Sequence, residues 1–338
     1  RRIITYRKRN NMNKDEKRLM NHLIRSSRRS KRPAPFLIAI LVLLAVFFAR
    51  DYLAPYLPFF NKNETAQKIN ISDDTPDNTT LSVTFLNVGQ GNCVLAQSNG
   101  HYMLIDGGDN KHSSLVVSYL TDLGITSLDY VVVSHYDADH LSGIVGVLHN
   151  FDVGTVIAPD YQADTKPYKS YVSIMDERQY QPYYPSIGDS FTLGLSSFEI
   201  VNPVSYTYDD ENNNSVGLRL SDGNHSFLIL GDAGTKAESD MIKTGETLDA
   251  DVYMVSHHGS SGSTSEALLN AVNPSFAVIS VGADNDYGHP TDKILNRLTA
   301  HKIQTLRTDQ DGTIIAYSGP GFLQWNTNVD TKEIHTTN

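Results

Sequence analysis

The sequence predicts an α/β protein whose main body is a layered sandwich of sheets and helices, preceded by one membrane-spanning helix. Two observations predict the sandwich. Short strand-like stretches with little helix open the body at residues 81–105, and apolar strands paired with helical segments follow from about residue 130. Strands first and strand–helix units later are typical of layered α/β folds. The third observation, an unbroken apolar run at residues 36–49, predicts the membrane segment.

Charge divides the 338-residue chain into a basic beginning and an acidic remainder. Of its 28 Lys and Arg and 38 Asp and Glu residues, 13 basic and two acidic residues lie in residues 1–32. Residues 33–338 therefore hold 15 basic and 36 acidic residues. The one cysteine, Cys93, excludes an intrachain disulfide and a cysteine-based zinc finger.

The apolar run at residues 36–49 has 14 residues without a charge, and Pro33-Ala-Pro35 extends it to 17. A spanning helix needs about 20 residues, with a lower limit of about 17. We expect an uncleaved signal anchor at residues 33–54, with a cleaved signal peptide or a buried core helix as alternatives. The basic residues before the run predict a cytoplasmic tail at residues 1–32 and a body outside the cell membrane. Residues 55–80 are polar and aperiodic, as expected of a linker.

The body is expected to form one domain at residues 81–325, followed by a tail at 326–338. Asn99-Gly100 predicts a hairpin turn, and helical spacing at residues 113–123 predicts a helix that ends before Gly124. Residues 160–187, rich in Tyr and Pro, are expected to be irregular, with one possible helix, and to form a wall of the cleft. The other predicted strands lie at 81–88, 93–96, 101–105, 130–134, 155–158, within 191–201 and 216–230, and at 252–256, 276–281, 304–306 and 313–317, and the other predicted helices at 141–149, 263–271 and 291–300.

Residues suited to metal binding follow the strand at 130–134 directly. His135, Asp137, Asp139 and His140 lie within six residues. Placing two carboxylates and two imidazoles together is costly unless cations bind them. The donors are nitrogen and oxygen without a thiolate, a set that suits Zn, Mn or Fe.

Other strands also end in Asp or His. Asp232 follows the strand near 226–230, His257 and His258 follow 252–256, and His289 follows 276–281 through a loop. We therefore predict a shared rim with a two-metal site, in which Asp232 is the natural bridge because a carboxylate can link two cations. Asp106, after the strand at 101–105, is as well explained by a turn.

This ordered set of motifs resembles the metallo-β-lactamase-fold hydrolases over residues 81 to about 325. It is most similar to the hydrolase domain of the ComEC-type competence proteins, which act in DNA uptake, and to its free-standing relatives. The matching stretches are Phe85-Leu-Asn-Val-Gly-Gln-Gly-Asn92, Leu104-Ile-Asp-Gly-Gly108, Ser134-His-Tyr-Asp-Ala-Asp-His140, Asn212-Asn-Asn-Ser215, Leu230-Gly-Asp232, Ser256-His-His-Gly-Ser260 and Gly288-His-Pro290.

The resemblance implies an αββα sandwich that binds two divalent metal ions, Zn or Mn. It implies seven metal ligands: His135 and Asp137 at one metal, Asp139 and His140 at the other, Asp232 between them, and His257 and His289 completing the shells. The chain departs from the commonest motif of the superfamily at Asp137, where a histidine is usual. It also has Asn87 and Asn92 where the ComEC-like branch has acids. We expect the two asparagines to orient the metal ligands without binding metal themselves.

The resemblance also implies catalytic and substrate-binding residues. Asp139 would orient the attacking water, and His258 would either protonate the leaving group or bind metal in place of His257. Asn214, Ser215 and Ser260 would contact the substrate.

The expected function is that of a membrane-anchored, extracellular, metal-dependent hydrolase, in the first place a phosphodiesterase or nuclease. DNA and a cell-wall polymer are the candidate substrates, and the sequence allows no inference of a protein partner. The acidic body is an argument against DNA, because proteins that bind nucleic acid usually present a basic face. The alternatives are a non-catalytic surface protein that binds a ligand or partner, and an esterase or lactonase.

Overall fold

A computed structural model describes residues 75–329 of the chain. The predicted tail at 1–32, the signal anchor at 33–54, residues 55–74 of the linker and residues 330–338 lie outside the described residues. No helix within residues 75–329 is long and apolar enough to cross a membrane.

The first of two sheets has eight strands in the order β15-β14-β1-β2-β3-β4-β5-β6. Neighbours from β3 to β6 are parallel and the others are antiparallel. Asn99 and Gly100 join β2 to β3 with positive φ angles, which confirms the predicted hairpin. The strands are β1 (Leu81–Phe85), β2 (Val94–Ser98), β3 (His101–Ile105), β4 (Ser127–Val132), β5 (Asp152–Ile157), β6 (Pro182–Tyr183), β14 (Thr313–Gly319) and β15 (Phe322–Val329).

The second sheet has seven strands in the order β13-β12-β11-β10-β9-β8-β7. Neighbours from β10 to β13 are parallel, and those from β7 to β10 are antiparallel. The strands are β7 (Ser190–Leu193), β8 (Ser196–Asn202), β9 (Gly217–Ser221), β10 (Ser226–Ile229), β11 (Val252–Met254), β12 (Phe276–Ile279) and β13 (Gln304–Arg307).

The helices flank the sheets. Helices α1 (Ser113–Asp122), α2 (Ala138–Asn150) and α3 (Lys166–Glu177) contribute to a core on the outer face of the first sheet. Helices α4 (Thr235–Thr244), α5 (Glu266–Val272) and α6 (Asp292–Ala300) do the same on the second. A single-turn helix α7 (Thr308–Asp311) and two short 3-10 helices, Glu211–Asn214 and Ser256–Gly259, complete the elements of residues 75–329.

Alternation along the central strands produces the layers. In β10, Phe227 and Ile229 enter the core between the two sheets, whereas Leu228 packs in the helical layer. Successive side chains of a strand point to opposite faces, so a strand buried on both faces is apolar throughout. The result is the layered sandwich that the sequence predicts, in the αββα arrangement that the resemblance implies.

The largest differences from the predicted elements lie in helix α4 and strand β15. Helix α4 was not predicted, because its polar sequence buries few side chains; its one readable signal is Gly245, which ends the helix with a φ of 81°. Strand β15 continues to Val329, so regular structure passes residue 325, and Trp325 is fully buried in the core.

The topology places the carboxyl ends of parallel strands at one edge. Strands β3 and β4 are parallel neighbours in the first sheet, and β10 and β11 are parallel neighbours in the second. The two sheets meet at this edge, where the Val216 amide, directly before β9, donates to the carbonyl of Ser134, after β4, over 2.7 Å. Parallel strands deliver their following loops to the same edge, which is the usual place for a site.

Candidate metal centre

Three histidines of this edge present the same ring nitrogen to the same space. His135, His140 and His258 are 0%, 0% and 2% exposed. Within residues 75–329, the Nε2 atom of each is buried and has no hydrogen-bond partner. A buried polar nitrogen without a protein partner is costly, so three such atoms together indicate a binding site.

The opposite nitrogen of each ring is held by the protein. His140 Nδ1 lies 2.7 Å from Asp106 Oδ2, His258 Nδ1 donates to the Ser280 carbonyl over 2.8 Å, and His135 Nδ1 lies 3.0 Å from the Ser134 hydroxyl. Metal-binding histidines use their second nitrogen in this way, which fixes the ring and leaves Nε2 free to bind. The three rings are therefore oriented for ligation through Nε2.

Asp232 lies at the centre of these nitrogens and is 3% exposed. Its Oδ1 is 3.2 Å from His140 Nε2, and its Oδ2 is 3.7 Å from His258 Nε2 and 4.0 Å from His135 Nε2. The Ser215 hydroxyl accepts a hydrogen bond from the Asp232 amide over 3.2 Å. One carboxylate thus faces all three histidines with both of its oxygens.

The ligand atoms form two overlapping groups, each with its atoms within 4.8 Å of one another. One group is His135, His140 and Asp232, and the other is Asp139, His140 and His258. Asp137 stands beside the first group, with Oδ2 3.6 Å from His135 Nε2 and its side chain 50% exposed. The residues thus fit divalent cations bound by nitrogen and oxygen.

His257 and His258 take different positions although they are adjacent in sequence. Both have a φ of 53°, the left-handed region that L residues rarely adopt. This turn sends His258 into the buried group, whereas the His257 side chain is 31% exposed, with Nε2 3.7 Å from Asp232 Oδ2. The His257 ring instead meets the His289 ring edge to face, with centroids 5.6 Å apart. His257 therefore lies on an outer rim of the site, and His289 beside it is partly buried, with a buried Nδ1 atom that has no hydrogen-bond partner within residues 75–329.

Charge pairing dominates the acid–base behaviour of the buried group. Burial disfavours the charged form of Asp232, but His140 and His258 outweigh it and hold the pKa of this carboxyl well below its usual range. Burial likewise opposes charge on His140, and the carboxylates of Asp232 and Asp106 raise its pKa well above the ordinary value. The site therefore concentrates negative charge that protons compensate and that a cation can compensate instead.

Asp106 lies directly beneath the site and is 1% exposed. Its Oδ1 accepts from the Ser134 amide and its Oδ2 from the Ser134 hydroxyl, over 2.8 and 2.7 Å, and Oδ2 also faces His140 Nδ1. The sequence left Asp106 undecided between a turn and the site. The signal that favours the site is its place after β3, the parallel neighbour of β4.

Two further positioning residues were not anticipated. Ser280 holds His258 through its carbonyl, and its hydroxyl donates to the Gly91 carbonyl over 2.8 Å. Glu238, on the unpredicted α4, is fully buried and accepts from the amides of Thr264 and Ser265, which follow the His257–His258 turn. Neither residue belongs to a sequence motif that would have pointed to this role.

The glycine loop after β1 packs against the start of α2. A Cβ on Gly91 would lie 2.3 Å from the Asp139 carbonyl, so only glycine allows this approach. The Asn92 amide donates to the same carbonyl over 3.1 Å. Asn87 Oδ1 accepts from the Gly89 amide over 3.1 Å, which shapes the loop.

The residues predicted to bind substrate differ in accessibility. Asn214 and Ser215 are 3% and 0% exposed, so they offer no surface to a substrate in this structure. The Ser215 hydroxyl supports Asp232, and Asn214 Nδ2 donates to the Tyr208 carbonyl over 3.2 Å. Ser260, directly after the His257–His258 turn, is partly exposed.

Comparison with known proteins agrees with this geometry. A family model described as the metallo-beta-lactamase superfamily matches residues 86–283. The chain is 28% identical over 250 residues to ComE operon protein 3 of Bacillus subtilis, a match covering 69% of this chain and 32% of that protein. It is 33% identical over 247 residues to competence protein ComA of Neisseria gonorrhoeae, covering 72% of this chain and 33% of that protein.

The chain therefore spans about a third of the length of these two relatives. The crystal structure of the metallo-beta-lactamase fold protein YhfI from Bacillus subtilis aligns with a TM-score of 0.44 at 15% identity, covering 67% of this chain and 95% of that one. The family match covers more than half of the chain and includes Asp106, the candidate ligands Asp139 and His140 of α2, Asp232 and His258. The chain belongs to the metallo-beta-lactamase superfamily, and its curated relatives are competence proteins of the ComEC type.

Proposed function

We propose that this chain is a phosphodiesterase that uses two divalent metal ions, and that its substrate is a nucleic acid. The observation that carries the metal-dependent part is the convergence of three unpartnered Nε2 atoms on Asp232 and Asp139. The preference for a nucleic acid rests on the competence relatives. The proposal extends to an extracellular body anchored by residues 33–54, which is supported by the apolar run and its basic flank.

His135, His140, Asp232, Asp139 and His258 would hold the ions, with Asp137 at the first group. A pair of divalent cations supplies a hydroxide nucleophile at neutral pH and polarises a phosphoryl oxygen. The Asp139 side chain is 30% exposed, and its Oδ2 lies 3.3 Å from His258 Nε2. It can therefore accept a hydrogen bond from an attacking water and orient it while it remains part of the buried group.

We assign His258 to the metal and His257 to the leaving group. His258 Nε2 is buried among ligands, so it has no path to a departing substrate oxygen. His257 is on the exposed rim, 3.7 Å from Asp232 through Nε2, where it can donate a proton to the leaving group. This reverses the first choice from the sequence, which gave His257 to the metal and His258 to the proton transfer.

The experiment that tests the proposal measures bound metal and phosphodiester hydrolysis in the same samples. The full chain is loaded with Mn²⁺ or Zn²⁺ and assayed with bis-p-nitrophenyl phosphate and with single-stranded DNA and RNA. The variant Asp232→Asn removes the central carboxylate charge. We expect it to lose metal and to lower kcat/KM by about 100-fold or more, beyond the effect typical of an outer-shell residue.

Asp164→Asn is the matched control, because Asp164 is an exposed aspartate that pairs with Lys169 on the surface. It should keep both metal and activity. No turnover of any phosphodiester by the fully loaded protein would refute the proposed activity. Teichoic-acid fragments, a lactone and a carboxylic ester are assayed alongside, and turnover confined to one of them would replace the nucleic acid by that substrate.

A further inference from the structure

The rim loop between β12 and α6 displays an aromatic ring beside the metal centre. Tyr287 is 70% exposed, the highest value among the large exposed apolar and aromatic side chains of the described residues. A single exposed apolar residue is ordinary on a protein surface. Tyr287 differs from such a residue in two ways: hydrogen bonds constrain its loop, and its ring stacks on His289.

Four hydrogen bonds from one side chain fix the loop. Asn285 Oδ1 accepts from the amides of Tyr287 and His289 over 3.2 and 3.0 Å. Asn285 Nδ2 donates to the carbonyls of Gly282 and His289 over 2.8 and 2.7 Å. The Gly282 amide in turn donates to Gln90 Oε1 over 3.3 Å, which ties the loop to the glycine loop after β1. The exposed ring is therefore presented on a constrained backbone.

The ring is already stacked on one side. Tyr287 and His289 have centroids 5.7 Å apart with an interplanar angle of 22°, and His289 contacts the rim histidine His257. A ring that is stacked on one face and largely exposed offers its other face to a further planar group, as aromatic platforms do for successive bases. The platform is next to the residue that we assign to the leaving group.

The negative charge of the loop favours an uncharged group as the stacking partner of Tyr287. Asp284 and Asp286 are exposed on either side of Asn285. Their carboxylates repel a phosphate but not an uncharged planar ring. A substrate can thus place its phosphate at the metal centre and a neutral base on this loop. Stacking adds affinity that does not depend on a basic face.

We propose that Tyr287, stacked on His289, is a platform for an unpaired nucleobase next to the scissile phosphodiester. The inference rests on the proposed phosphodiesterase function and specifies its substrate as single-stranded nucleic acid. In a duplex both faces of a base are covered by its neighbours, so only an unpaired or terminal base can use the platform.

The test compares two short fluorescein-labelled single strands with phosphorothioate linkages that slow cleavage, identical except that one has an abasic residue at the scissile position. Binding to the Mn²⁺-loaded full chain is measured by anisotropy for wild type, Tyr287→Ala, Tyr287→Phe and the control Leu195→Ala, an exposed apolar residue of the β7–β8 turn. We expect Tyr287→Ala to weaken binding of the base-bearing strand by about 5- to 150-fold, the range for loss of one stacked base. Its affinity for the abasic strand should stay at the wild-type value, and Tyr287→Phe and Leu195→Ala should bind both strands as wild type does.

Other outcomes overturn the inference. An equal loss of affinity for both strands, or no loss, would exclude a base platform. A lower metal content in Tyr287→Ala would show that the ring positions His289 instead. If the wild type hydrolyses no phosphodiester at full metal loading, the proposed function fails, and the binding comparison still decides whether Tyr287 holds a base.

Discussion

Two aspartates stand at opposite ends of strand β10, and they have opposite surroundings. Asp222 precedes the strand, and each of its oxygens accepts hydrogen bonds: Oδ1 from the amides of Asn224 and His225, and Oδ2 from the hydroxyls of Thr80 and Ser318. Asp232 follows the strand, and within the described chain its buried Oδ1 has no hydrogen-bond partner.

The difference separates a structural carboxylate from a functional one. At Asp222 the protein supplies every partner, so the group joins a hairpin of the second sheet to β14 of the first. At Asp232 the nearest atoms are histidine nitrogens that are themselves without partners. Unsatisfied buried polar atoms are rare in proteins, and here they mark the place where a ligand completes the structure.

The largest effect should come from the histidine that shares this unsatisfied region. We expect His258→Ala to reduce bound metal from about two ions to about one per chain and kcat by about 100-fold or more, because it removes a ligand nitrogen from a two-metal site. His257→Ala should keep its metal and lose kcat only. Metal analysis and steady-state kinetics on the same preparations distinguish the two variants.

A wild-type metal content in His258→Ala together with a reduced content in His257→Ala would restore the assignment that the sequence favoured. It would also show that burial without a partner fails to identify the ligand at this turn. Circular dichroism of both variants checks that the fold is retained.

The next largest effect is expected at Asp106, which accepts hydrogen bonds from Ser134 and also faces His140 Nδ1. Asp106→Asn keeps the shape but exchanges an acceptor oxygen for an amide, so it weakens the hold on His140 Nδ1. We expect metal affinity to fall by about 10- to 100-fold, the usual effect of an outer partner of a metal ligand. Competition with a chelator of known affinity measures it. An unchanged metal affinity would show that Asp106, like Asp222, is a structural carboxylate.

Much of the fold and the ligand cluster could be predicted from the sequence, because both depend on local signals. Strand alternation, Asn99-Gly100 and Gly124 gave elements that the structure confirms. The run from His135 to His140 placed four candidates in six residues. Their order after parallel strands then predicted a common edge.

The remaining features depend on packing between distant segments. His257 and His258 cannot be told apart in sequence, since the left-handed turn decides which ring is buried. Asn214 and Ser215 have the sequence of a polar loop, yet both are buried in the fold. Ser280 acts through its backbone carbonyl. Every residue has this group, so the sequence cannot indicate the role.

The smallest effect should come from Asp222, and its pH dependence has a definite sign. Burial opposes the charge, but hydrogen bonds from the amides of His225 and Asn224 and from the hydroxyls of Thr80 and Ser318 outweigh it and lower the pKa of Asp222. A lowered pKa stabilises the fold above the unfolded value of about 3.9, and this stabilisation is lost as pH falls through the folded pKa.

We expect Asp222→Asn to lower the free energy of unfolding by about 1–3 kcal/mol at pH 7, because hydrogen bonds to a charged carboxylate are lost. The difference from wild type should persist down to about pH 5 and shrink below about pH 4, as the pH falls through the lowered pKa of the wild-type carboxyl. Urea unfolding at a series of pH values measures this, and metal content and activity should stay at wild-type levels. A variant that loses metal while it keeps its stability would mean that the two ends of β10 are coupled, and the contrast between the two aspartates would then fail.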